Sequence, residues 1–222
     1  MKKFGFTLSE IIITLGVVGV VAAITAPLIE GLMPDSNKAK VLKVYKTVHS
    51  INKELLNDRS LYIEGEYNNN KCTGFGCQNL PSNPDKNDAK YQGSQKYPHL
   101  LIDHLDVIDI NYPDSSQPSL VEFKTSDGVT WKFTFASRPK VSENPIKYGY
   151  KTKFYVDFST DGSGCIYDNS CLKPTRFRFD MNAQGKLVGD DPLTKAYLEN
   201  PYKLNDRKKD YARAKEIKAS KS

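Results

Sequence analysis

Nineteen consecutive residues, Ile11 to Ile29, carry no charge, and no other stretch restricts the available structures as much. As a helix at ~1.5 Å per residue the run covers about 28 Å, close to the ~30 Å hydrocarbon thickness of a bilayer. Ile11, Ile12, Ile13, Val17, Val18, Val20, Val21 and Ile24 are β-branched and would suit a strand in water. A lone segment in lipid must satisfy its own backbone, which selects a helix. Pro27 deletes one helical hydrogen bond and predicts a bend, and Gly31 and Pro34 extend that weak zone. Gly16 and Gly19 lie three apart and match no strong helix-pairing motif.

What precedes the run is as informative. Met1-Lys2-Lys3-Phe4-Gly5 is a short basic leader, followed by Phe6-Thr7-Leu8-Ser9-Glu10. A secretory signal is cut after its apolar stretch; here the plausible cut, between Gly5 and Phe6, precedes it. Glu10 places an acid at the edge of the apolar run, where an uncompensated carboxylate is costly. Together these residues resemble the processing site of type IV prepilins and of the pseudopilins of type II secretion. The resemblance implies a prepilin peptidase that cuts between Gly5 and Phe6 and N-methylates Phe6. It also implies that Glu10 pairs with the Phe6 amine of a neighbouring copy during assembly, and that Pro27 marks a segment able to melt in a filament. Without the resemblance, the run is a simple membrane anchor and Glu10 reaches for the headgroups.

Beyond Pro34 the pattern changes. Asp35 or Ser36 can cap a helix in which Val41, Val44 or Tyr45, Val48, Ile51 and Leu55 form one apolar stripe. The two halves together predict one long helix from about Phe6 to Asn57, bent in the middle. Glu64 to Pro98 is rich in Asn, Gly, Pro, Ser and Lys and reads as a long loop, and Tyr97-Pro98 opens a short helix through Ile108. Leu120–Phe123 and Val129–Phe135 flank Ser126-Asp127-Gly128, a hairpin signal. Lys153–Phe158, Arg176–Met181 and Lys186–Val188 read as further strands, the last two joined through Asn182–Gly185. The expected fold is therefore α+β: a long N-terminal helix, membrane half plus amphipathic half, packed on a small antiparallel sheet. Its parts are a leader (1–5), a membrane or assembly half-helix (6–30), a pilin-like periplasmic domain (31–202) and a basic tail (203–222).

The cysteines come in two tight pairs, Cys72 with Cys77 and Cys165 with Cys171. In an exported domain an even number reads as disulfides; three pairings are open, and chain adjacency favours the local ones. A four-cysteine zinc site is the rival, disfavoured by the spacings and by an oxidising compartment. The three histidines, His49, His99 and His104, belong to no metalloprotease motif, and no phosphate-cradling loop or nucleophile elbow is visible. No cofactor is expected. Calcium is the one candidate: Asp157, Asp161, Asp168 and Asn169 could gather oxygens near the second cysteine loop, although a tight turn explains them as well.

The net charge of +6 is unevenly placed. Lys2 and Lys3 supply +2, and residues 203–222 hold eight Lys or Arg against three Asp or Glu, leaving about −1 for Phe6–Tyr202. A tail of this kind is usually solvated; a functional one would bind nucleic-acid phosphates or anionic lipid. The expectation is a non-enzymatic pseudopilin or minor pilin in the bacterial inner membrane, single-pass, with its domain in the periplasm. Its expected partners are the prepilin peptidase, the inner-membrane assembly platform, membrane lipid, and copies of itself or other pilins. The alternatives are a minor pilin that binds DNA or a surface ligand, and an anchored enzyme.

Overall fold

The structure, a computed structural model, describes residues 8–32, 35–67, 70–77, 91, 93–113, 120–136, 151–168, 170–171 and 173–220. The chain enters as helix α1 (Leu8–Leu32) and continues as α2 (Ser36–Asn57). Asp35 decides where α2 begins. Its Oδ1 accepts hydrogen bonds from the Asn37 and Lys38 N–H groups, at 3.1 and 3.3 Å, satisfying donors that the first turn would otherwise leave open. Its own N–H bonds the Leu204 carbonyl at 3.1 Å, far along the chain.

Two short strands, β1 (Gly65–Tyr67) and β2 (Asn70–Cys72), form a hairpin, followed by a 3-10 turn at Gly74–Cys77 and by α3 (Lys96–Asp103). Then comes a six-stranded antiparallel meander, each strand beside the next: β3 (Val107–Asn111), β4 (Glu122–Thr125), β5 (Thr130–Ala136), β6 (Lys151–Asp157), β7 (Arg176–Asn182) and β8 (Leu187–Gly189). Two helices close the chain, α4 (Pro192–Glu199) and α5 (Arg207–Ala219).

Period-two alternation gives the sheet one apolar face. Phe123, Trp131, Phe133, Phe154, Phe177 and Phe179 are buried there, with ring centroids 5.7 Å apart for Phe123–Trp131 and 5.3 Å for Phe154–Phe179. The α2 stripe of Val41, Val44, Val48, Ile51 and Leu55 joins the same core. One polar contact fixes how α2 lies. Buried Asn52 donates to the Gly185 carbonyl at 3.0 Å and accepts from the Tyr97 hydroxyl at 2.8 Å. Gly185 has φ +72°, and a Cβ there would come within 3.1–3.2 Å of Phe75, Asn52 and Leu56, so this turn requires glycine twice over.

Several expectations are corrected here. The single bent helix from Phe6 to Asn57 is two helices, because Asp35 turns its N–H and carboxylate to separate tasks at the start of α2. The architecture is five α-helices and a six-stranded antiparallel sheet, among the described residues, and not a membrane-spanning helix laid on a small sheet. The backbone of α1 is helical and unbroken through Pro27. Among the described residues, no helix is long and apolar enough to cross a membrane. The single-pass inner-membrane location falls with that finding, as does the prepilin or pseudopilin reading built on it.

The sequence also misjudged smaller elements. The helix through Ile108 ends at Asp103, and Val107–Asn111 is an edge strand. The supposedly solvated tail is helix α5, which buries Asp210, Ala214 and Ile217.

Candidate functional site

Gly5 and Phe6 lie outside the described residues, as do the side chains of Glu10 and Pro27, whose backbones belong to α1. The cysteines are described. Cys72 pairs with Cys77 and Cys165 with Cys171, with Cα atoms 5.1 and 6.1 Å apart, and none is free among the described residues. These local bridges leave no thiol for zinc or for nucleophilic work there.

The candidate calcium oxygens are occupied otherwise. Asp157 is wholly buried at the end of β6. It accepts from the Ser159 N–H and hydroxyl, the Gly164 N–H, the Thr175 hydroxyl, and Nε and Nη2 of Arg176. Asp161 caps Ser163, and Asp168 takes the N–H groups of Ser170 and Cys171. Each carboxylate serves its own turn. Among the described residues, no group of three His, Cys, Asp or Glu side chains could hold a metal ion. Asn169 lies outside them.

The histidines are spread through the fold. His49 stacks on Tyr45, buried His99 lies against Tyr112, and His104 Nδ1 sits 2.7 Å from the Leu100 carbonyl.

Three features remain that sequence reasoning did not find. The first is a buried polar clasp where α2 starts. Lys38, fully buried, donates to Asp210 of α5 at 2.6 Å and to the Lys203 carbonyl at 2.9 Å, with its ammonium 5.6 Å from the Tyr197 ring. The Tyr197 hydroxyl donates to Asp35 at 2.7 Å, and Arg207 lies 3.9 Å from the same carboxylate. Burial pushes the Asp210 carboxyl above the usual range against the opposing pull of Lys38, and burial beside Asp35 pushes the Tyr197 phenol upward. Nothing local marks this cluster, since Lys38 and Asp210 are 172 residues apart.

The clasp also changes what α5 offers a polyanion. Arg213 is committed to Glu199 and Glu216, Lys209 to Asp206 and Arg207 to Asp35, while Lys208 and Lys215 stand exposed.

The second is Lys96, also fully buried, which donates to the Leu61 carbonyl with its ammonium 4.5 Å from the Tyr62 ring. Burial lowers its pKa to about 8 from 10.5. Between those two values the unfolded chain binds a proton that the folded chain does not, so this group makes stability rise with pH. The cost of holding the ammonium in the core is in force below pH 8. Urea denaturation of Lys96→Met beside the wild type should therefore show the wild type gaining relative stability from pH 7 to pH 10. A constant difference across that range would refute the assignment.

The third is a cleft of about 410 Å³ between α2 and the β4–β5 hairpin, with Trp131 and Phe158 in its wall and Lys40 and Lys43 on its rim.

No family model matches the chain, and no curated protein or solved structure matches it either. The resemblance to prepilins thus gains no support from known proteins.

Proposed function

We propose that this chain is a non-catalytic interaction protein that associates with further copies of itself through α1. The observation that carries this reading is the state of that helix. Ile11, Ile12, Ile13, Leu15, Val17, Val18, Val20 and Val21 are each between 47% and 67% exposed. Successive helical residues are ~100° apart, so these side chains cover every direction around the axis. A helix apolar all round belongs inside something. Burial stabilises by roughly 1.5–3 kcal/mol per large aliphatic side chain, so leaving eight in water is unfavourable.

A groove on one partner would cover only one stripe. Copies of α1 packed side by side cover the whole circumference, which favours an assembly larger than a dimer. The non-catalytic part of the reading rests on the disulfide-bonded cysteines and on the Asp157, Asp161 and Asp168 carboxylates, each taken up by its own loop.

Light scattering on the full chain tests this. The wild type should run at several times the 25.0 kDa monomer mass, and Ile13→Lys/Val17→Lys should return it to monomer without altering the thermal unfolding of the sheet domain. A monomeric wild type would overturn self-association. Flotation with phosphatidylcholine vesicles as a monomer would also overturn it, and would make lipid the cover.

A further inference from the structure

The cleft between α2 and the β4–β5 hairpin is independent of α1, and its lining specifies a ligand class. Its apolar wall is built by Val44, Leu105, Val129, Trp131 and Phe158. At about 410 Å³ it falls within the range of small-molecule sites. Phe123 and Phe154 stack against Trp131 with centroids 5.7 and 5.9 Å away, and they belong to the strands on either side of it. The indole is thereby held between two stacked rings.

The rim is asymmetric. Lys43 is neutralised by Asp127 at 2.9 Å, and the other oxygen of Asp127 accepts from the Thr125 hydroxyl at 2.7 Å. These contacts hold the Asp127 carboxyl below its usual range, against the upward push of its partial burial. Lys40, one turn earlier on α2, is different. Its ammonium lies 5.4 Å from the Phe158 ring, and among the described residues no carboxylate pairs with it. A cation above an aromatic wall accepts an anion without breaking an existing ion pair. Asp106 also lines the cleft and repels a negative group beside it, so Lys40 is the place where an anion is accepted.

We infer that this cleft binds a small aryl monocarboxylate, with its carboxylate on Lys40 and its apolar body against Val44, Phe158 and Trp131. A phosphate or dicarboxylate would bring excess charge toward Asp106. A purely apolar molecule would leave Lys40 unused.

Trp131 is the only tryptophan of the chain, so its emission reports this cleft and not the exposed face of α1. Titration with 4-phenylbutyrate should change that emission saturably, with Kd on the order of 1 mM, as ligand efficiency allows for about a dozen heavy atoms. The neutral 4-phenylbutanamide should bind at least about 5-fold more weakly, and Lys40→Gln should weaken phenylbutyrate by a similar factor; an exposed ion pair with some desolvation supports a change of that size. Lys40 is an exposed helix residue, so its substitution leaves the fold intact. No saturable change up to about 20 mM, ten or more times the affinity expected, would overturn the inference. So would equal affinity for the amide, or no effect of Lys40→Gln.

Discussion

Lys38→Met should lower the stability of the folded domain by about 3–5 kcal/mol, the usual cost of stripping one partner from a buried ion pair. Lys38 is completely buried and Asp210 nearly so, and the two are 2.6 Å apart. Removing the ammonium strands a carboxylate in the interior and frees the Lys203 carbonyl. For a domain of this size the loss corresponds to a Tm lower by roughly 10 °C. The double variant Lys38→Met/Asp210→Leu should recover most of it, because replacing both charges by apolar groups removes the desolvation cost along with the attraction. The first damage should be local. Helix α5 buries only Ala214 and Ile217 as apolar anchors, so its amides should exchange with deuterium in Lys38→Met before those of β5 and β6 do. A double variant no more stable than the single, or exchange that rises evenly across the sheet, would refute the clasp.

That clasp also shows where reading the sequence stops working. The strands announced themselves. Phe177, Phe179 and Met181 alternate with Arg176, Arg178 and Asp180, and Asp127-Gly128 sits between two β-rich runs, so both face and register follow from local chemistry. The start of α2 was written in Asp35 as well. Helix α4 carried a signal that went unused: Asp191 caps it through the Leu193 and Thr194 N–H groups, with Pro192 in the first turn.

Helix α5 had no such signal. Its surface is almost wholly polar, and what docks it is one aspartate meeting a lysine from the far end of the fold. Lys96 and the cleft are illegible for the same reason. A lysine in sequence reads as solvated, and only the packing of Tyr62 around Lys96, or of Phe158 beside Lys40, shows otherwise. The first helix misled in the opposite sense. Its leader, Glu10 and apolar run combine into a strong pattern, but among the described residues no helix is long and apolar enough to cross a membrane, and no family model matches the chain. What remains is an apolar surface left exposed on α1.

The second large effect is expected at Asp157. Its carboxylate closes the loop that leads to the Cys165–Cys171 bridge, receiving the Ser159 and Gly164 N–H groups at 2.9 Å and Arg176 at 3.0 and 3.1 Å. Gly164 makes the approach possible, since a Cβ there would lie 2.2 Å from Oδ1. Asp157→Asn keeps the shape but turns an acceptor-only group into one that presents two donors toward N–H groups. With several charge-assisted bonds lost or weakened, about 3 kcal/mol of stability should go.

The acid limb of the stability curve separates loss of charge from general damage. Burial alone would raise the Asp157 carboxyl, but the Ser159 donors and the Arg176 guanidinium outweigh it and hold the group below the usual carboxylate range. A carboxyl depressed in the folded state stabilises fully above its unfolded pKa, near ~3.9, and loses that contribution as pH falls through the lower folded value. Urea midpoints from pH 7 to pH 2.5 should therefore differ by a constant amount down to about pH 4, and the wild type should then fall toward the Asp157→Asn curve. Parallel curves over the whole range would mean that the aspartate acts by shape alone, with no electrostatic part in holding the loop.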